Sequence, residues 1–328
     1  IEIDEVPTGT SEFDWEVPRE WRIADAFIAR RDGQRVVDFG DSNLHVVSYS
    51  SPVNEIMRLE DLRPHLHSLP EHPDWIPYRT TYYNEDWGFC LTHRQLESLQ
   101  DDEYEVVIDS ELFEGSLSYG ETVLPGESDE EILLFAHCCH PSLCNDNLSG
   151  LVVVALLGDL LSKVNLRHTV RIVFAPATIG SIVWMSRNEE VLPRIKAGLV
   201  ASVLGDAGHY RYKVSRHANA TIDRACRHVL QHAGVEHDLL EFSPWGYDER
   251  QFCSPGINLP VGRLTRTPNG EYPEYHTSAD DCDVVRPECL AESVGMLLNV
   301  IECVENERTY MNMHPHGEPQ LGRRGLYR

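Results

Sequence analysis

The stretch Glu131–Gly150, EILLFAHCCHPSLCNDNLSG, constrains this chain more than any other. An apolar run breaks off in His137, Cys138, Cys139 and His140, passes through a polar turn carrying Asp146, and resumes as LSGLVVVALLGDLLSKV. A strand this apolar is buried on both faces, and a buried imidazole left without a partner costs free energy. The polar groups at its end therefore need partners. A metal ion is the simplest partner for two histidines and a carboxylate, and a mixed nitrogen and oxygen set suits zinc or iron. The segment reads as strand, turn and helix, with metal-hydrolase chemistry at the carboxyl end of the strand.

The C-terminal two thirds repeat that alternation. LSYGETVLPG and EILLFAH read as adjacent strands joined across 126–129, and TVRIVFAPA and LVASVLGDAG as further strands. SIVWMSRNEEVLPRI and NATIDRACRHVLQHAG read as helices. The pattern predicts an α/β fold, a mostly parallel mixed sheet with helices on both faces, in which ligands sit at the carboxyl ends of the strands. His137, His140, the PATIGS segment and Asp206 fall there.

The N-terminal third differs. Trp21, Ile23, Ala26 and Phe27 lie at helical spacing and predict a helix over about residues 18–30. From Arg35 to about Gly115, short pieces such as RVVDF, LHVVSYS, YRTTYY and YEVVIDS alternate with turn residues and read as strands. The expected organisation is a core of residues 1–38 and 116–328 with a small β-rich domain inserted at 39–115.

A net charge of −25 argues against nucleic acid or an anionic membrane as partner. The nine cysteines include no CxxC pair, which argues against a disulfide framework; Cys138, Cys139 and Cys144 read as packing thiols. The first residues resemble no signal peptide, and Leu151–Leu157 is too short to span a bilayer, so a cytoplasmic location is expected.

Three constellations carry the candidate chemistry. In the first, His140 and Asp146 are metal ligands; His137 is the alternative to His140, because two histidines three apart at a strand end point to different sides. Asp146 or Asn147 could instead cap the helix. In the second, EYPEYHTSADD, His276 is the distal ligand, Asp280 orients its other nitrogen, and Tyr275 touches substrate. In the third, Asp248 or Glu249 serves the metal or a substrate amine and Arg250 a substrate carboxylate or an ion pair behind the ligands, with a solvated loop as the bland reading. Asp206 is a further metal candidate.

These residues, in this order, resemble bacterial aminopeptidase-like proteins of the zinc aminopeptidase superfamily. The likeness runs through DWEVPREW at 14–21, SNLHVVSYSSPV at 42–53, YYNEDWGFC at 82–90, CHPSLCNDNLSG at 139–150, DERQFCSPGINLP at 248–260 and YHTSADD at 275–281. It implies a phosphorylase/hydrolase-like core with an inserted β domain; the C-terminal winged-helix domain usual in such proteins is expected to be absent or removed here, where the sequence stops at EPQLGRRGLYR. It favours His140 over His137, makes Asp146 the metal aspartate that can bridge two ions, places Asp206 near the next carboxylate ligand and makes His276 the terminal histidine. The family's PETIGS is PATIGS here. Ala177 stands where the general-base glutamate is expected, through engineering as a trap or through natural loss with Glu249 or Asp248 as the substitute base, and Thr178 stands where the second glutamate binds metal.

The resulting expectation is an enzyme with one zinc rather than two, with iron as the alternative metal. It would cleave an amide in a small aminoacylated metabolite or short peptide, in natural-product or polysaccharide biosynthesis. A catalytically impaired ligand-binding homologue, or acyl transfer or cyclisation, are the alternatives. Homo-oligomerisation is left open.

Overall fold

The computed structural model describes every residue except Tyr83 and Arg328. Eight strands form the central sheet, in the order Glu2–Pro7, Ser116–Leu124, His168–Ala175, Ser128–His137, Ile195–Ala201, Val261–Thr265, Tyr210–Lys213 and His237–Leu240. The four strands from His168–Ala175 to Val261–Thr265 run parallel. Antiparallel pairings flank them on both sides.

Alternation along the central strand builds two cores, because successive side chains leave opposite faces. Ile132 and Leu134 pack with the helices Gly150–Leu161, Thr221–His232 and Pro287–Asn306. Leu133 and Phe135 pack with the helix Ile179–Arg187. By length and composition Cys144–Leu161 could cross a membrane, but 56% of that window is buried inside the fold, as in the core helix of a globular domain.

Ser116–Leu124 and Ser128–His137 are not neighbours, contrary to the sequence expectation. His168–Ala175 lies between them. The connecting turn passes over the start of that strand, where a Cβ on Gly126 would stand 2.3 Å from the His168 carbonyl carbon. Only glycine permits so close a crossing.

The segment expected as a helix is the strand Glu20–Arg30, paired along its length with Glu103–Phe113. Ala26 and Ile28 face a separate small core, and this packing overrides the weak helical spacing. The second sheet runs Arg35–Asp38, Glu20–Arg30, Glu103–Phe113, Val53–Arg58. Two of its strands therefore precede residue 39, and we propose an insertion spanning 20–113 instead of 39–115. LHVVSYS starts in the 3-10 helix Asn43–His45 and continues as loop, as does the described part of YRTTYY, with isolated bridges of Val46 to Phe89 and Ser48 to Thr80 in place of strands; Tyr83 lies outside the described residues. Backbone exchange ties this insertion to the core: Tyr78 N donates to His276 O at 2.7 Å, and Ser278 N to Ile76 O at 2.8 Å.

One buried ion cluster crosses the central sheet. Arg171, 8% exposed, donates Nε to Glu131 Oε2 at 2.6 Å and also contacts Glu121. Removing one partner of such a pair strands the other charge. Glu131→Ala is expected to cost about 3 kcal/mol in urea unfolding, and a loss below about 1 kcal/mol would contradict this role.

Candidate functional site

The polar turn after Ser128–His137 is a clamp as well as a ligand loop. Asn147 Oδ1 accepts Val203 N at 3.0 Å, Ser149 Oγ accepts Leu204 N at 2.9 Å, and Asn145 Oδ1 accepts Gly205 N at 2.9 Å. Three successive backbone donors beyond the end of Ile195–Ala201 are thus satisfied by three side chains of NDNLS. Gly150 completes the fit, since a Cβ there would lie 2.6 Å from the Ala201 carbonyl oxygen. The helix-cap reading of Asp146 and Asn147 is not realised: the helix start has no side-chain cap.

Asp146, 1% exposed, is instead turned toward imidazoles. His137 Nε2 lies 2.9 Å from its Oδ1, while His276 Nε2 and His140 Nε2 lie 3.1 and 3.5 Å from its Oδ2. Both strand-end histidines thus approach the same carboxylate, where only one was expected to. Burial works against the Asp146 charge, but the hydrogen bonds from His137 and His276 outweigh it and hold the carboxyl well below its usual range. Burial likewise opposes the His137 cation, yet the Asp146 contact raises that pKa. At His140 burial prevails, helped by the neighbouring histidines, and lowers the pKa to about 4.

Asp280 does not orient His276. Its carboxylate accepts the backbone N–H of Asn145 at 2.6 Å and of Asp146 at 3.1 Å, along with the Tyr272 hydroxyl at 3.1 Å. It fixes the turn that aims Asp146. His276 sits at φ 55°, and Tyr49 and Tyr82 on the cleft wall at φ 67° and 53°. Left-handed backbone at bulky residues collects at functional sites.

A cleft of about 410 Å³ opens above Asp146. Its lining includes Ala177, Thr178, Arg250 and Tyr275 from the sequence candidates, along with Cys139. Tyr275 stacks on His276 with centroids 3.9 Å apart. Asp206, Asp248 and Glu249 are not in the lining. Asp206 is spent on Asn145 Nδ2 at 3.0 Å and Thr267 Oγ1 at 2.6 Å. Asp248, fully buried, accepts from Ser181 Oγ at 2.7 Å, and burial pushes its pKa up to about 6. Glu249, also fully buried, pairs with Lys213 at 2.7 Å and Arg263 at 3.6 Å. Cys138 and Cys139 are exposed instead of serving as packing thiols.

Sequence reasoning missed two walls. Tyr247 stacks on His137 at 5.3 Å, and Tyr78 from the insertion meets His140 and His276 edge-on at 5.2 and 5.1 Å. Tyr78 lies in a loop without periodicity, so no sequence pattern marked it; Tyr247 adjoined the singled-out Asp248 and was the more legible of the two.

The donor set fits a zinc ion. Ligand atoms of His140, Asp146 and His276 lie within 4.8 Å of one another, as do those of His137, Cys139 and His140. Two or three imidazoles with one carboxylate is a common zinc shell.

Residues 1–307 match the family described as a domain of unknown function, DUF4910. A Clostridium acetobutylicum protein, provisionally named a polysaccharide biosynthesis protein with an aminopeptidase-like domain, is 52% identical over 328 residues, all of this chain and 75% of that protein. A crystal structure from the same organism, provisionally described as a peptidase, matches with TM-score 0.93 and 52% identity over 99% of this chain and 76% of the other. The Bacillus subtilis zinc aminopeptidase BSAP matches with TM-score 0.66 at 13% identity over 94% and 86% of the two chains. A Shewanella amazonensis peptidase M28 precursor matches with TM-score 0.61 at 14% identity over 95% and 85%. The last two establish the fold alone. The family match and the 52% identical relative make this chain an aminopeptidase-like protein belonging to the DUF4910 family.

Proposed function

We propose that the protein is a metal-dependent amide hydrolase of aminopeptidase type, with one zinc ion held by His140, Asp146 and His276. The observation that supports it best is the convergence of three imidazoles on the buried Asp146 carboxylate at the carboxyl ends of the parallel strands. Zinc at such a site polarises a carbonyl and lowers the pKa of water. Around it, Asp280 fixes the Asp146 backbone, and Tyr275 and Tyr247 stack on His276 and His137 so that neither ring swings freely. The substrate we favour is a small aminoacylated metabolite or short peptide, because Tyr49, Tyr78, Thr80 and Tyr82 of the insertion wall the cleft. A role in polysaccharide or natural-product biosynthesis is suggested by the Clostridium relative's name.

Hydrolysis breaks the C–N bond, placing hydroxyl on the acyl carbon and a proton on the leaving nitrogen. A side chain that carries that proton speeds the step by about 10²–10⁴-fold. Ala177 has none to offer, and the expected substitutes Asp248 and Glu249 lie behind the cleft wall. Among the described residues Asp146 is the only carboxylate in the lining. That favours a second reading, a ligand-binding homologue with impaired catalysis. One ion instead of two is supported by Thr178, whose hydroxyl accepts from Gln251 Nε2 at 3.2 Å and is a poor ligand.

Ala177→Glu separates the two readings. A disabled enzyme gains about 10²–10⁴-fold in release of p-nitroaniline from aminoacyl or succinyl anilides, whereas no gain with either supports the binder. Zinc titration calorimetry checks the site itself. Wild-type protein takes up one equivalent, His276→Ala abolishes it, and Asp280→Asn weakens it by about 10–100-fold through loss of backbone positioning. Unchanged affinity in both variants would rule out this ligand set.

A further inference from the structure

The charge of the cleft is wrong for a free α-amine. Both Asp146 oxygens face histidines, and no other carboxylate lines the cleft among the described residues. Apart from histidine, its only cationic side chain among the described residues is Arg250. That guanidinium forms no ion pair among the described residues. It lies 5.7 Å from the Trp245 ring centre, and its buried Nε has no hydrogen-bond partner. A second hollow shares Trp15, Thr178 and Arg250 with the first and adds the exposed Arg216, again without an acidic residue. In a chain of net charge −25, a groove with two arginines outside any ion pair and no free carboxylate in its lining, among the described residues, is a marked local inversion. An ammonium group entering it would shed water and meet no free carboxylate among the described residues, whereas a carboxylate would find a planar guanidinium suited to paired hydrogen bonds.

We infer that the ligand of this cleft is an amide carrying a carboxylate that docks on Arg250, instead of an amide next to a free α-amine. The amide rests on the hydrolase reading above; the charge selection does not. Three probes of similar size test it by calorimetry on the full chain with one equivalent of zinc: hippurate (anionic), hippuramide (neutral) and glycine benzylamide (cationic). Hippurate is expected to bind at least about 10-fold more tightly than hippuramide, with glycine benzylamide weakest. R250Q removes the advantage of hippurate and R250K retains part of it, while the wild-type series stands even if a variant fails to fold. Equal affinities, tighter binding of the cation, no binding of hippurate, or an advantage that survives R250Q would overturn the inference. Chromatography for benzoate and benzylamine separates the two ideas. Hippurate that binds through Arg250 yet is never cleaved, by wild type or A177E, overturns the hydrolase reading alone. Preferential cleavage of glycine benzylamide overturns the charge selection alone.

Discussion

A single buried carboxylate organises this molecule. Asp146 is almost entirely out of water, and a charge so placed is tolerated only with close partners of opposite sign or donors aimed at it. Three imidazoles from two distant parts of the chain supply those partners. The polar residues on either side of Asp146 spend their side chains on backbone groups of the neighbouring strand end, and Asp280 holds the backbone of Asp146 itself. The ligand loop and the scaffold are therefore one hydrogen-bonded unit, so changes at Asn145, Asn147 or Asp280 act on the site without touching a ligand.

The inserted sheet extends the same logic outward. It exchanges backbone hydrogen bonds with the loop that carries His276, and Tyr78 packs edge-on against two of the site histidines. The insertion is thus part of the cleft wall. Its aromatic residues Tyr49, Tyr78 and Tyr82 line the cleft together with Thr178 and Arg250 of the core. Among the described residues the cleft combines aromatic surfaces, one guanidinium and a cluster of metal-ligand type.

Much of this was legible before any coordinates. The strand, turn and helix at 131–161, the alternation behind the parallel strands, and the pairing of His140 and Asp146 with the far His276 follow from patterns that burial and ligand chemistry impose. What was not legible has physical causes. Strand order depends on how Gly126 lets a turn cross the His168 backbone, which no periodicity encodes. The strand Glu20–Arg30 was misread because its inward residues are small or sparse, and long-range pairing with Glu103–Phe113 settles its conformation. Asp206, Asp248 and Glu249 looked available as ligands or base because a sequence shows a carboxylate but not its partners. Each has a carboxylate oxygen held by its neighbours, and none lines the cleft.

The central claim is that His140, Asp146 and His276 together grip one cation. Anomalous diffraction from crystals soaked in zinc, recorded on both sides of the zinc absorption edge, tests it most directly. The account predicts one strong difference peak within bonding reach of those three side chains. A map with no peak there, or with zinc only at surface histidines, would contradict it.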